Sequence, residues 1–147
     1  MTTAEVFADY LGLTPENAPW AWTNAECERC NGLGHIRVCV HGSVFCNEKC
    51  PKCKGAKYDP PTLTATSPLA PEPTPGWLYV MAKHHSFSRV IRHDATDYQG
   101  VAWMAGMGQH ADDSDPIHAA ARALIAADPT LREACERASD YEKEMSA

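Results

Sequence analysis

The stretch Cys27-Glu28-Arg29-Cys30-Asn31-Gly32-Leu33-Gly34, answered by Cys50-Pro51-Lys52-Cys53-Lys54-Gly55-Ala56-Lys57, decides how the chain is read. Each half holds a Cys-x-x-Cys turn, and 19 residues separate the two turns. Thiolates at i and i+3 can occupy two corners of a metal tetrahedron. A second pair brought alongside supplies the other two corners, the set that Zn²⁺ takes in closed structural positions. Gly32, Gly34 and Gly55 follow the cysteines, where the backbone must curl beneath a metal with positive φ. The expectation is one structural zinc ion on Cys27, Cys30, Cys50 and Cys53. A closed site of this kind has no open coordination position, so it orders a fold and performs no chemistry.

Between the pairs, Gly34 to Val40 alternates as a strand does, with Ile36, Val38 and Val40 on one face. His41-Gly42-Ser43-Val44 offers a tight turn with Gly in its first central position, and Val44-Phe45-Cys46 is the expected return strand. That register sets Cys39 across from Cys46, with His41 next along the same face. Cys39, His41 and Cys46 are therefore possible ligands of a second metal, or Cys46 a replacement for Cys50. Their other reading is a reduced, half-buried cross-strand pair. Trp20 and Trp22 precede the first knuckle and are expected to cap its small core, or else to form a stacking platform.

Residues 27–58 resemble the zinc-binding hairpin of DnaJ-type co-chaperones, whose repeat is Cys-x-x-Cys-x-Gly-x-Gly. Cys27 to Gly34 matches that repeat in full, and Cys50 to Lys57 matches it except that Lys57 stands in the place of the last glycine. Two repeats in place of that family's four imply one zinc. The His-Pro-Asp motif of the family's J-domain is absent, so the resemblance implies no co-chaperone role. The C-terminal pattern is similar to that of small bacteriophage α/β sandwich proteins.

Working outward, Thr2-Thr3-Ala4-Glu5 reads as a capping box ahead of Val6, Phe7, Tyr10 and Leu11 on one helical face. Residues 1–23 form this helix and a lead-in, and residues 24–58 the zinc hairpin. Residues 59–76 read as an extended linker, because the stretch from Tyr58 to Gly76 holds six of the eleven prolines. Residues 77–147 are expected to form a small β-β-β-α-α layer. Its strands are Trp77 to Met81, Ser86 to His93 and Gly100 to Met107. Its helices start at Asp115-Pro116 and Asp128-Pro129, each an N-cap followed by proline in the first turn. The apolar face of the last helix is expected to hold Leu131, Ala134, Cys135, Ala138 and Met145. The fold class is α+β.

The 147 residues carry a formal net charge of −6, which argues against general nucleic-acid binding. The charge is uneven: residues 24–58 have six basic and three acidic side chains, whereas Gly76 onward has seven basic and eleven acidic. No apolar run reaches the ~20 residues of a membrane span. The N-terminus lacks the basic and apolar parts of a signal peptide, so a reducing cytoplasmic setting and metal-bound rather than disulfide-bonded cysteines are expected. His84-His85 and His93-Asp94 come with no nucleophile and no metal-ligand spacing, so no enzyme is expected. The expected function is that of a phage- or mobile-element-type binding protein acting on a host protein complex that handles nucleic acid. Inhibition of a bacterial defence machine of CRISPR or restriction type would be such a role. Asp112 and Asp113, expected on an exposed loop, would meet the basic groove of that partner. The alternative is a nucleic-acid-binding zinc ribbon, with Arg29, Arg37, Lys49, Lys52, Lys54 and Lys57 on phosphates and Trp20 or Trp22 stacked on bases.

Overall fold

The capping box forms: the Thr2 hydroxyl accepts from the Glu5 backbone N–H, and the Glu5 carboxylate accepts from the Thr2 N–H at 2.8 Å. Helix α1 (Thr3–Tyr10) follows. The computed structural model describes residues 1–147 except 43, 85, 86, 105 and 106, and except the side chains of 87–89, 104 and 107. The elements fall into both helices and small antiparallel sheets, an α+β chain.

The chain divides into two units. Met1–Ala21 and Ala65–Ala147 make the larger, and Trp22–Thr64 is a smaller unit inserted into its sequence. The insert begins and ends at one place in the larger unit, where the Ala65 N–H donates to the Ala21 carbonyl at 3.2 Å. The proline-rich stretch is divided between the two: Thr62–Leu63 is a strand of the insert, and Ala65 and Pro68 are buried in the larger unit.

In the larger unit α1 is tied to helix α4 (Pro129–Ser146) and to that helix's N-cap. Thr3 donates to the Glu142 carboxylate through its backbone N–H and its hydroxyl, at 2.9 and 3.0 Å. Tyr10 Oη donates to Asp128 Oδ2 at 2.8 Å. Asp128 is the N-cap of α4 and Asp115 that of helix α3 (Pro116–Ala127), each with proline in the first turn, as the two Asp-Pro signals predict. Leu131, Cys135 and Ala138 face the core, but Met145 is 70% exposed because it lies in the last turn beyond the packed surface.

Trp77 to Met81 is not a strand. It lies in helix α2 (Gly76–Lys83), which buries Trp77 and Met81, one turn apart. An apolar run this short fits either periodicity, and here packing chose the helix. The Trp77 ring meets Phe7 edge-on with centroids 6.3 Å apart and Trp20 at 5.4 Å, and its indole N–H donates to the Thr66 carbonyl at 2.6 Å. Trp20 is therefore part of this core and does not cap the metal hairpin. Gly76 is required beneath it, since a Cβ there would lie 2.5 Å from the indole.

Strands β5 (Phe87–Asp94), β6 (Asp97–Met104) and β7 (Met107–Asp113) form an antiparallel meander. The second expected strand is β5. The third is shifted: Asp97–Met104 is the central strand, and the polar segment after it is a further strand that periodicity does not reveal. Helix α3 lies so close to β6 that a Cβ on Gly100 would fall 2.3 Å from the Ala119 carbonyl oxygen.

Asp112 and Asp113 are thus not loop residues. They end β7, opposite Gln99 and Tyr98. Asp112 is exposed, but the Asp113 side chain is only 12% exposed. Asp113 pairs with Arg122 Nε at 3.3 Å and His118 Nδ1 at 3.5 Å, and it accepts the Asp115 N–H at 3.1 Å. His118 Nε2 in turn lies 2.6 Å from the Ala70 carbonyl, which fastens the proline-rich segment to α3. The two aspartates should respond differently to charge reversal. Asp112→Lys is expected to change unfolding free energy by less than about 0.5 kcal/mol. Asp113→Lys, which strands Arg122 and the Asp115 amide, is expected to cost about 1–3 kcal/mol by urea denaturation.

Candidate metal centre

The insert opens with β1 (Trp22–Thr23) paired to β4 (Thr62–Leu63) and continues inward through a bridge between Glu26 and Tyr58. At its far end β2 (His35–His41) and β3 (Val44–Lys49) form the hairpin. Between these ladders sit the two knuckles, and they obey a near-two-fold relation. The Cys50 N–H donates to the Gly34 carbonyl at 3.0 Å, while the Cys27 N–H donates to the Lys57 carbonyl at 2.9 Å. The left-handed positions repeat as well: Asn31 and Lys54 both at φ 53°, Gly32 at 77° and Gly55 at 82°, Gly34 at 82° and Lys57 at 74°. Lys57 therefore takes the glycine conformation that its place in the repeat demands, at a cost of about 1–2 kcal/mol for a residue with a Cβ. Gly34 cannot be exchanged so easily, because a Cβ there would lie 3.2 Å from the Gly55 carbonyl oxygen and 3.1 Å from Lys57 Cγ.

This folding brings all four sulfurs within 4.8 Å of one another. Cys27 and Cys50 Sγ are 3.8 Å apart, and Cys30 and Cys53 Sγ 3.7 Å. A regular tetrahedron with Zn–S bonds of about 2.3 Å has edges of about 3.8 Å. A disulfide would need about 2.05 Å. The spacing fits zinc, and all four cysteines are free thiols. Backbone amides are aimed at the sulfurs: Gly34 N–H donates to Cys30 Sγ at 3.3 Å. Burial pushes the metal-free Cys27 thiol up to about 11, against donation from the Cys30 and Arg29 amides. At Cys53 burial acts the same way, but the Lys57 and Gly55 amides and the Cys30 sulfur outweigh it and bring the thiol down to about 7. The metal must displace the proton of such a buried thiol, which couples its binding to folding. The four cysteines form a single structural zinc site.

Cys39, His41 and Cys46 take no part in it. All three are exposed, and the four-cysteine set is the metal-ligating cluster among the described residues. His41 pairs with Val44, as the expected turn requires, but a bulge between Cys39 and His41 then shifts the ladder by one residue, so that Cys39 lies opposite Phe45 and Cys46 opposite Val38. Cys39 and Cys46 consequently point to opposite faces of the hairpin. Gly42 has φ 56°, and Ser43 of the expected turn lies outside the described residues.

The same register assembles a surface. His35, Arg37, Phe45, Asn47 and Lys49 share one face of the hairpin. With Arg29 and Asn31 from the first knuckle, His35, Arg37, Phe45 and Asn47 line a concave groove of about 850 Å³ that has no carboxylate in its lining. Arg37 lies over the Phe45 ring at 5.1 Å, and Phe45 is 52% exposed. Sequence reading singles out Arg29 and Arg37 here but misses His35, Asn31, Phe45 and Asn47. Alternation counted from the turn puts Phe45 and Asn47 on the opposite face from Arg37, and only the bulge between Cys39 and His41 brings them together. The other basic candidates lie elsewhere. The Lys49 stem packs on Gly55, Lys52 pairs with Asp59 at 3.9 Å, and Lys54 occupies its left-handed position in the second knuckle. Trp22 belongs to the β1–β4 ladder. Of the histidines weighed for catalysis, His84 stacks near Tyr10 at 4.9 Å, His93 is exposed, and His85 lies outside the described residues.

No protein-family model matches the chain, and no solved structure does. It is similar to UvrABC system protein A of Helicobacter pylori, in two strains, with 36% identity over 56 residues. That stretch is 38% of this chain, and the chain spans 6% of the length of those relatives. None of the described helices is long and apolar enough to cross a membrane.

The insert's own core amounts to three buried cysteines with Ile36 and Cys53 partly buried against them. Burying one aliphatic side chain contributes about 1.5–3 kcal/mol, whereas structural zinc contributes about 10–16 kcal/mol in comparable peptides. Chelation should therefore unfold the insert alone. Hydrogen–deuterium exchange with a strong chelator is expected to show loss of amide protection within Trp22–Thr64 and retained protection in α3 and α4.

Proposed function

We propose that this is a binding protein without enzymatic activity, working in a reducing cytoplasm, whose zinc knuckles hold a hairpin face that contacts nucleic acid. One observation carries the reading: in a chain of net charge −6, the lining of a groove includes two arginines, a histidine, two carboxamides and an aromatic ring beside Leu33, Ile36 and two cysteines, with no acid among them. Guanidinium groups bind phosphates bidentately, and carboxamides pair with base edges. Electrostatic attraction here is local. The insert has six basic and four acidic residues, and a zinc tetrathiolate adds about −2, so the unit as a whole is near neutral.

A second reading keeps a protein partner, such as a host complex inhibited by a phage-type protein. It draws on the exposed apolar tip, where Val40 and Val44 are 58% and 60% exposed. Of the two aspartates that would meet such a partner, Asp112 is exposed and Asp113 is held in ion pairs at the end of β7.

Salt dependence separates the two. Contact of Arg29 and Arg37 with two phosphates predicts that log K for a labelled oligonucleotide falls with log[salt] at a slope of about −1 to −2. Arg29→Gln with Arg37→Gln should bring that slope toward zero while the zinc content is unchanged. A zinc-loaded protein that binds no nucleic acid at low salt refutes the reading.

A further inference from the structure

Resting on that reading, we infer that the groove takes single-stranded nucleic acid and stacks an unpaired base on Phe45. The geometry contains the parts such a ligand needs, each in its own place. Phe45 is a large aromatic side chain left 52% exposed in a unit whose buried side chains are mostly cysteine, so its exposure serves no packing. Arg37 already lies over the ring at 5.1 Å, a pairing that orients the guanidinium and leaves its N–H groups for a phosphate. Arg37 stands directly across from Asn47, so a donor–acceptor side chain flanks the ring. Arg29 reaches the same groove from the first knuckle. Along the hairpin the parts run from Arg29 in the knuckle at its base, through Arg37, to Phe45 nearer the tip, so a strand lying along the groove would meet two cations followed by an aromatic platform.

The platform selects for strand state. In a duplex the bases are already paired and stacked, and their π-faces are not available to a side chain on the outside of the helix. In a single strand every base has a free face, and stacking on an aromatic ring tolerates any sequence. A groove that offered phosphate contacts alone would have no use for Phe45 and would bind duplex at least as well as single strand. The near-neutral charge of the insert points the same way. Two arginines give little affinity for a polyanion unless a non-electrostatic contact adds to them.

The test is fluorescence anisotropy with zinc-loaded full-length protein and a labelled oligothymidylate or oligouridylate, each free and annealed to its complement. We expect the single strands to bind and the duplexes to bind at least tenfold more weakly. Phe45→Ala should weaken single-strand binding about fivefold or more, Phe45→Trp should preserve it, and both variants should keep one zinc per chain. Equal affinity for single strand and duplex, with Phe45→Ala unchanged, overturns the stacking inference and leaves phosphate binding by the arginines intact. Binding of neither form by the wild-type protein removes the nucleic-acid reading as well. A Phe45→Ala protein that has lost zinc is replaced in the assay by Phe45→Leu, for which the same loss of single-strand preference is expected.

Discussion

Four sulfur atoms within 4.8 Å of one another hold the inserted unit together, and its other features follow from them. The edges of 3.7 and 3.8 Å between opposite knuckles match the geometry of a zinc tetrathiolate. Among the described residues, the core cluster of this segment of about 40 residues is three buried cysteines with Ile36 and Cys53 packed against them, and at that length metals or disulfides are usually needed. The knuckle amides point toward sulfur, and the entering and leaving strands pair as a ladder. The larger unit has a different basis. Phe7, Trp77, Met81, Leu124 and Leu131 are fully or almost fully buried there, and its helix caps and ion pairs are made without cysteine ligands.

The two-fold relation of the knuckles connects the structural metal site to the groove for which recognition is proposed. Reciprocal backbone bonds from Cys50 to Gly34 and from Cys27 to Lys57 fix the knuckles against each other, and Gly34 permits the close approach. The hairpin grows from that base with its register set. One of its faces turns Ile36 toward the sulfurs, so the other must present Arg37, Phe45 and Asn47 outward. The metal thus determines which side chains reach the groove, whose lining also includes its ligand Cys30.

Much of this was legible in the sequence because it is local. Cys-x-x-Cys spacing is set within one turn, and so are the Thr2–Glu5 box and the Asp-Pro starts of α3 and α4. What was not legible depends on distant partners. His41 pairs with Val44 as the expected turn requires, but a bulge between Cys39 and His41, which the alternation does not reveal, shifts the rest of the ladder by one residue; it moves Cys39 away from Cys46 and brings Phe45 and Asn47 onto the face of Arg37. Trp77 to Met81 has the composition of a strand or of a helix, and packing of Trp77 between Phe7 and Trp20 decided it. Strand β7 is polar, with Gly108 under the ring of Trp103, and its pairing is imposed by β6 rather than by its own residues.

X-ray absorption at the zinc edge tests the central claim most directly, since it reads the ligands without requiring any function. The account predicts one zinc per chain with four sulfur scatterers at about 2.3 Å. A first shell containing nitrogen or oxygen at about 2.0–2.1 Å, or a second zinc bound with comparable tightness, would bring His41, Cys39 or Cys46 into the coordination and contradict it.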